Sequence, residues 1–316
     1  MSLSINAVVL QKKKGRSIRK LWEQRYLLML SVPFMIWLVV FKYFPIWGWS
    51  MAFQKYKLGK PFLEQKWAGI QYFVELWSDA RFWQAFRNTL GMSILGLITG
   101  FILPIVFALL INEVRHIHFK RSVQTISYLP HFVSWVVVAN MFLKMLSVDG
   151  GIINEVLLSL NLIDNPVQWV AQPKLFWGIV TTASAWKETG WQSIIYLAAI
   201  AGIDQQLYDA ATADGCGKIG KMWHITLPGI TSTIIVLFIM AFGHLTQIGF
   251  ERQMLMGNAV VSDYSEVIDL YILKYGVGSA RYAFGTAIGV FNSLIAITLL
   301  MVANTIFRKI RGESIF

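Results

Sequence analysis

The stretch YDAATADGCGKIGKMWHITLP, residues 208–228, is the longest polar interruption between two strongly apolar segments of the chain. Asp204 stands in the N-cap position of a helix that leads into it, and Gly215 stands where such a helix would end in a sharp turn. Beyond the turn, apolar residues recur at helical spacing, at Ile219, Met222 and Trp223. The stretch therefore predicts a helix, a turn and a second helix whose apolar face cannot be buried within the stretch itself.

The same stretch resembles the cytoplasmic signature loop of the membrane subunits of binding-protein-dependent ABC importers. That signature reads E-A-A, two residues, D-G-A, five residues, F, two residues, I, one residue and L-P. The residues in register are Asp209, Ala210, Ala211, Asp214, Gly215, Ile225, Leu227 and Pro228. The departures are Asp209 in place of Glu, Cys216 in place of the third Ala and Met222 in place of Phe.

In that family the loop lies across the membrane surface as a coupling helix and docks in a groove of the ATPase subunit. The resemblance therefore implies an ATPase-coupling role for Asp209, Ala210, Ala211, Asp214, Gly215, Met222, Trp223 and Pro228. The alternative is an amphipathic loop that lies on lipid headgroups. A phosphate-binding P-loop is not expected although G-x-x-x-x-G-K is matched, because Met222 replaces its Ser or Thr and the preceding residues predict a helix.

The composition is that of a membrane protein, since 56% of the 316 residues are hydrophobic, 14% are charged and the mean hydropathy is +0.54. A spanning helix needs about 20 mostly apolar residues. The candidate spans are 27–53, 89–112, 123–146, 175–200, 229–248 and 284–307. The first apolar run is too long for a signal peptide and is expected to remain uncleaved.

The net charge of +11 is interpreted as a topology signal rather than as a nucleic-acid surface. Positive residues beside a span are retained on the cytoplasmic side, and a basic run precedes the first span at Lys12, Lys13, Lys14, Arg16, Arg19 and Lys20. With six spans, both termini are then cytoplasmic and the signature loop lies on the same side. The single Cys216 excludes an internal disulfide.

These observations predict an all-α polytopic membrane protein of about six transmembrane helices, with the coupling loop between the fourth and fifth. The predicted segments are a basic cytoplasmic N-terminal segment (1–26), a first transmembrane helix (27–53), an external amphipathic aromatic segment (54–88), a permease core (89–307) with the coupling loop 201–228, and a cytoplasmic tail (308–316).

Polar side chains within the predicted spans are candidates for a substrate pathway, because a buried charge in a membrane usually faces a cavity or a partner. These are Lys187, Glu188, Trp191, Gln192, His244, Gln247 and Asn292. Hydroxyls of a sugar need hydrogen-bonding groups, its apolar face packs on aromatic rings, and a cation such as Lys187 fits an acidic sugar. The alternative for the fourth-span residues is contact with a second membrane subunit.

The third span contains YLPHFVSWVVVANMF, residues 128–142, and resembles the branch of importers that includes the alginate and pectin-oligosaccharide permeases. The resemblance implies a permease subunit that imports an oligosaccharide from an extracytoplasmic solute-binding protein, paired with a second homologous permease and two cytoplasmic ATPase subunits that hold ATP and Mg. No catalytic set or metal site is predicted, so the chain is not expected to be an enzyme. The alternative function is an ion- or proton-coupled secondary transporter that uses Glu188, Lys187 and His244 as a relay.

Overall fold

The computed structural model describes residues 24–311. The predicted basic run, Lys12 to Lys20, and the end of the predicted cytoplasmic tail (312–316) lie outside the described residues. The described chain divides into two units, residues 24–69 and residues 70–311. The predicted external segment 54–88 is therefore split between them.

The first unit is a single helical run followed by a hairpin. Helix α1, Arg25–Leu38, continues as one wide turn over Val39–Tyr43 and a tighter helix over Phe44–Phe53. Two short antiparallel strands follow, β1 (Gln54–Lys55) and β2 (Lys66–Trp67). Nearly every apolar side chain of α1 is exposed, as expected for a helix whose surroundings are lipid rather than protein.

The regular secondary structure of the second unit is helical in its described residues. Its helices are α2 (Gln71–Ser78), α3 (Ala80–Asn112), α4 (Ile117–Tyr128), α5 (Trp135–Met145), α6 (Ile152–Ser159), α7 (Phe176–Ala201), α8 (Gln205–Ala213), α9 (Lys218–Lys221), α10 (Leu227–Gly229), α11 (Thr231–Gly243), α12 (Glu251–Met256), α13 (Ser262–Ser265), α14 (Ile268–Tyr271) and α15 (Tyr282–Arg311). Apart from the two-residue strands, the all-α prediction is confirmed.

Within residues 24–311, three helical runs are long and apolar enough to cross a membrane: Arg25–Phe53, Ala80–Asn112 and Tyr282–Ile306. Two bent pairs bring the number to as many as five by length and composition: Ile117–Phe132 with Trp135–Met145, and Lys218–Gly229 with Thr231–Gly243. The fourth predicted span coincides with α7, which is long enough but less apolar because polar residues occupy its middle. The count of six stays a prediction.

The structure differs from the prediction in the third and fifth spans, which are not single straight helices. In the third, the run Ile117–Phe132, whose last turn is a tight helix over Leu129–Phe132, meets α5 at 102° across Val133 and Ser134, which are extended. In the fifth, the helical run from Lys218 passes through Pro228 and bends by 58° before α11. Helix α11 then ends at Gly243, so residues 244–248 lie outside it.

The long pair of α3 and α7 organises the second unit, and short helices of residues 251–277 pack against it. A buried cluster joins Met92 of α3 and Val180 of α7 to Met256 and Leu270. Asn88 fixes the same segment, because its Nδ2 donates to the carbonyl oxygens of Asp263 at 3.0 Å and Glu266 at 2.8 Å. The segment is thereby held against the N-terminal part of α3.

Candidate functional site

The helix and turn predicted in the signature stretch are present. Helix α8 begins after Asp204, whose Oδ1 accepts a hydrogen bond from the N–H of Gln206 at 3.0 Å. The helix is closed at its other end by the N–H of Cys216, which donates to the carbonyl of Ala211 at 2.8 Å. Gly215 adopts φ +74°, the left-handed conformation that this helix ending requires. The two halves of the stretch are therefore joined by a defined turn.

Side-chain contacts brace the two halves against each other and against the neighbouring loop. The hydroxyls of Tyr208 and Thr226 are hydrogen-bonded at 2.9 Å, and Nζ of Lys221 donates to Oγ1 of Thr212 at 2.6 Å. Lys218 forms an ion pair of 3.9 Å with Glu113, just past the end of α3. These contacts tie the position of the loop to that of the longest helix in the second unit.

The second half of the loop presents an apolar surface. Ile219 is 72% exposed and Trp223 is 64% exposed. Met222, beside them, is less exposed and is half-buried. Five of the other residues that the resemblance singled out are exposed: Asp209, Ala210, Asp214, Gly215 and Pro228. The sixth, Ala211, is partly exposed. The arrangement can dock against an apolar groove, and an exposed large aromatic residue is typical of such a contact.

A cavity of about 740 Å³ lies between α3, α7 and the chain around 241–252. This is within the range of small-molecule sites. The structure brings together at this cavity five of the residues predicted from the sequence: Glu188, Trp191, Gln192, His244 and Gln247. His244 and Gln247 reach it from the irregular segment that follows α11 rather than from a helix.

Two predicted pathway residues do not line this cavity. Lys187 is buried, and its Nζ donates to the carbonyl oxygens of Pro130 and His131. Asn292 is also buried, and its Nδ2 donates to the carbonyl of Thr246 at 3.0 Å. Both side chains therefore stabilise breaks in neighbouring helices.

Glu188 is the centre of a polar cluster at one wall of the cavity. Its Oε2 lies 2.8 Å from Nδ1 of His131, and its Oε1 lies 3.6 Å from Nζ of Lys187. The imidazole of His131 stacks on Trp191 with ring centres 4.4 Å apart and planes inclined by 1°. The cluster thus joins the turn at Leu129–Phe132 to the middle of α7 by charge, hydrogen bonding and ring contact.

The irregular segment after α11 exposes backbone carbonyls that side chains satisfy. Ser93 of α3 donates to the carbonyl of Leu245, and Asn292 of α15 donates to that of Thr246. A third donor, Arg252, bonds the carbonyl of Ile248 at 2.6 Å. Non-helical backbone at membrane depth is tolerated where it lines a cavity or is buried in protein, and this segment does both.

Arg252 is a charged lining residue that the sequence analysis did not single out. Its Nη1 donates to Oγ of Ser184 at 3.0 Å, and its guanidinium lies 5.6 Å from the ring centre of Trp135. The side chain of Arg252 is half-buried. No sequence pattern marks it, because Arg252 follows the break in the fifth predicted span and its direction depends on how that break folds.

The chain matches known transporter subunits in sequence and in structure. Residues 94–311 match the family described as binding-protein-dependent transport system inner membrane component. The polygalacturonan/rhamnogalacturonan transport system permease protein YteP of Bacillus subtilis is 38% identical over 314 residues, 99% of this chain and 97% of that protein. Protein LplB of the same organism is 38% identical over 98% of each chain.

A solved structure extends the likeness to the fold. A bacterial ABC transporter involved in the import of the acidic polysaccharide alginate contains a chain that superposes with a TM-score of 0.84 and is 37% identical. The match covers 94% of this chain and 99% of that one. A second structure of bacterial alginate ABC transporter, in complex with an alginate pentasaccharide-bound periplasmic protein, matches equally well.

Proposed function

Because this chain belongs to the family of inner membrane components of binding-protein-dependent transport systems, we propose that it is the permease subunit of an ABC importer for oligosaccharides that carry uronate units. Sugar permeases of this family are membrane subunits, and ATP hydrolysis in this proposal resides in partner ATPases with their ATP and Mg. The descriptions of two relatives name polygalacturonan and alginate as the sugars that are transported, and both are acidic. This chain binds no cofactor of its own in the proposal.

The observation that carries the proposal is the exposed surface of the signature loop. Its turn at Gly215 and its bracing by Glu113 and Thr212 hold the loop rigidly, yet Trp223 remains 64% exposed. A loop lying on headgroups would need an apolar face but not a fixed turn or a brace to α3. The fixed geometry is what a loop needs in order to transmit movement from a docked partner.

The proposed assembly contains four kinds of protein. A second homologous permease completes the pathway through the membrane, two cytoplasmic ATPase subunits dock on the paired loops, and a solute-binding protein delivers the sugar from outside. The complex of the alginate transporter with its periplasmic protein supports the last of these partners. The chain is then multi-pass in the cytoplasmic membrane with both termini inside.

In the proposed mechanism, ATP closes the ATPase pair and draws the two coupling loops together. The movement passes through Asp209, Asp214, Gly215, Met222 and Trp223, and through the Lys218 to Glu113 pair, to α3 and α7. These helices form two walls of the cavity. The spans then rock from inward-open to outward-open and accept the sugar.

The experiment is affinity purification of the tagged chain from its own cells in mild detergent, with identification of co-purifying proteins and an ATPase assay. We expect an ATPase and a second permease to co-purify with the wild type, and the ATPase to be lost with Trp223→Ala. Trp67→Ala is the matched control, because Trp67 is 69% exposed and lies outside the loop. Recovery of the chain alone from wild-type cells would contradict the proposal.

The ion-coupled alternative receives less support from the geometry. Glu188 contacts His131 and Lys187. No hydrogen bond joins the side chain of His244 to that cluster within residues 24–311. Family membership also points to ATP as the energy source.

A further inference from the structure

Two cations lie near the cavity, and the structure gives them different surroundings. Lys187 is 5% exposed, and its ammonium is engaged by Glu188 and by the backbone of the 129–132 turn. Arg252 lines the cavity itself. Of the two, only the guanidinium of Arg252 is placed where a molecule in the cavity can reach it.

Arg252 is held in one orientation by three contacts. Nη1 bonds Ser184, Nη2 bonds the carbonyl of Ile248, and the guanidinium packs near the ring of Trp135. A guanidinium has more N–H donors than these two hydrogen bonds use. A fixed, planar fork with donors to spare is suited to bind a carboxylate through two parallel hydrogen bonds.

The charge balance of the cavity favours an anion. Glu188 and Arg252 are the ionised side chains among its described lining residues. The carboxylate of Glu188 is already compensated by Lys187 and hydrogen-bonded to His131. Within residues 24–311, no carboxylate lies within ion-pair distance of Arg252. A half-buried arginine with no carboxylate at contact distance attracts a negatively charged ligand more strongly than an exposed one does.

We propose that Arg252 is the residue of this chain that selects acidic over neutral sugar units, by binding the carboxylate of a uronate in the cavity. The inference rests on the proposed function, since it assigns the specificity of the same pathway. Trp191 and Gln192 line the same cavity, and they supply an apolar ring surface and hydrogen-bonding groups for the rest of the sugar. Ser184 acts as a positioning residue, because it contacts Arg252 and orients the fork.

The test compares two substrates that differ in the carboxylate alone. The complex that co-purifies with this chain is reconstituted in proteoliposomes with its binding protein, and uptake of oligogalacturonate is measured beside uptake of the same oligomer as its methyl ester. The readout is the ratio of the two rates. Any preference of the binding protein is common to wild type and variants, so a change in the ratio reports on the permease.

We expect Arg252→Gln to lower the acid-to-ester ratio by about tenfold or more, the size of one lost charge-assisted hydrogen bond pair. Arg252→Lys keeps the charge and should retain most of the preference, while Ser184→Ala should reduce it partly. Lys174→Gln removes an exposed cation that does not line the cavity and controls for loss of charge.

The outcomes separate the two proposals. If the wild type transports neither oligomer, the proposed function fails. If the wild type transports the acid and Arg252→Gln lowers both rates in proportion, the residue only braces the segment after α11 and the specificity role is overturned. An unchanged ratio in Arg252→Gln would overturn it as well.

Discussion

Glu188 and His131 are hydrogen-bonded at 2.8 Å across the break that separates α4 from α5. Glu188 lies in the middle of α7, whereas His131 lies in the tight helical turn Leu129–Phe132 that ends the run from Ile117. The same turn supplies the carbonyl oxygens that engage Lys187. The turn before a helix break is therefore stabilised by adjacent charges on another helix, and Glu188 also lines the cavity.

Substitution of Glu188 by Gln should destabilise the second unit. The change removes the negative charge that compensates buried Lys187, and we expect a loss of about 2–3 kcal/mol in the free energy of unfolding. Thermal unfolding of the wild type and of Glu188→Gln in detergent measures this loss of stability. The double variant Glu188→Gln with Lys187→Met should recover part of the loss, since it removes the unpaired charge. Equal stability of Glu188→Gln and wild type would show that the pair contributes nothing.

The same variant distinguishes the energy source. We expect uptake by the wild-type complex to require ATP inside the vesicle and to be insensitive to collapse of the proton gradient. If a proton gradient alone drives uptake and Glu188→Gln abolishes it, the relay hypothesis replaces the ATP-driven one.

Gly215 should be needed for the shape of the coupling loop. A Cβ there meets no neighbour, so the cost of Gly215→Ala arises from its φ of +74° and amounts to about 1 kcal/mol. We expect weaker co-purification of the ATPase and lower ATPase activity. Gly217→Ala is the matched control, because Gly217 has φ −73° and open space around it. Equal effects of the two substitutions would contradict the requirement for the left-handed turn.

Gly190 should be needed for the close approach of α4 and α7. A Cβ at Gly190 would overlap the backbone carbonyl of Ser127, which cannot move without shifting α4. Gly190→Ala is expected to cost about 1–3 kcal/mol through overpacking. The comparison is Gly178→Ala on the same helix, where a Cβ meets nothing and stability should be equal or higher. A melting temperature unchanged by Gly190→Ala would show that the helices separate at little cost.

Asp269 should make stability depend on pH. Burial raises its pKa, and the hydrogen bond that its Oδ2 accepts from the N–H of Gly249 at 2.7 Å lowers it in part. The pKa of Asp269 is therefore higher in the folded state than in the unfolded state. Its contribution to the free energy of unfolding is fully present below the unfolded pKa, about 4, and is lost as pH rises through the folded pKa.

Asp269→Asn keeps an acceptor for Gly249 and removes the charge. We expect this variant to melt at a higher temperature than wild type above the folded pKa, and the difference to vanish in acid. Asp164→Asn, at an exposed position, is the control and should not change the pH profile. A parallel pH dependence in Asp269→Asn and wild type would exclude Asp269 as the cause.

The sequence by itself determined the helical class and the helix-turn conformation of the signature stretch, because both depend on local features. The capping of α8 by Asp204 and the turn at Gly215 follow from residues a few positions apart, and the structure shows both as predicted. Long apolar runs likewise identify spans from composition alone. Most of the polar pathway candidates on α7 do line a cavity, since a polar side chain in an apolar helix needs a polar neighbour.

Tertiary structure alone decided where the helices break and which cation faces the cavity. The 102° bend after α4 and the end of α11 at Gly243 depend on side chains distant in sequence, such as Lys187 and Ser93, that take up the freed carbonyls. The break after α11 places Arg252 at the cavity, whereas Lys187 is buried because α7 packs against the Leu129–Phe132 turn. A helical period cannot be carried across a break, so the direction of a side chain beyond it is set by packing and not by spacing.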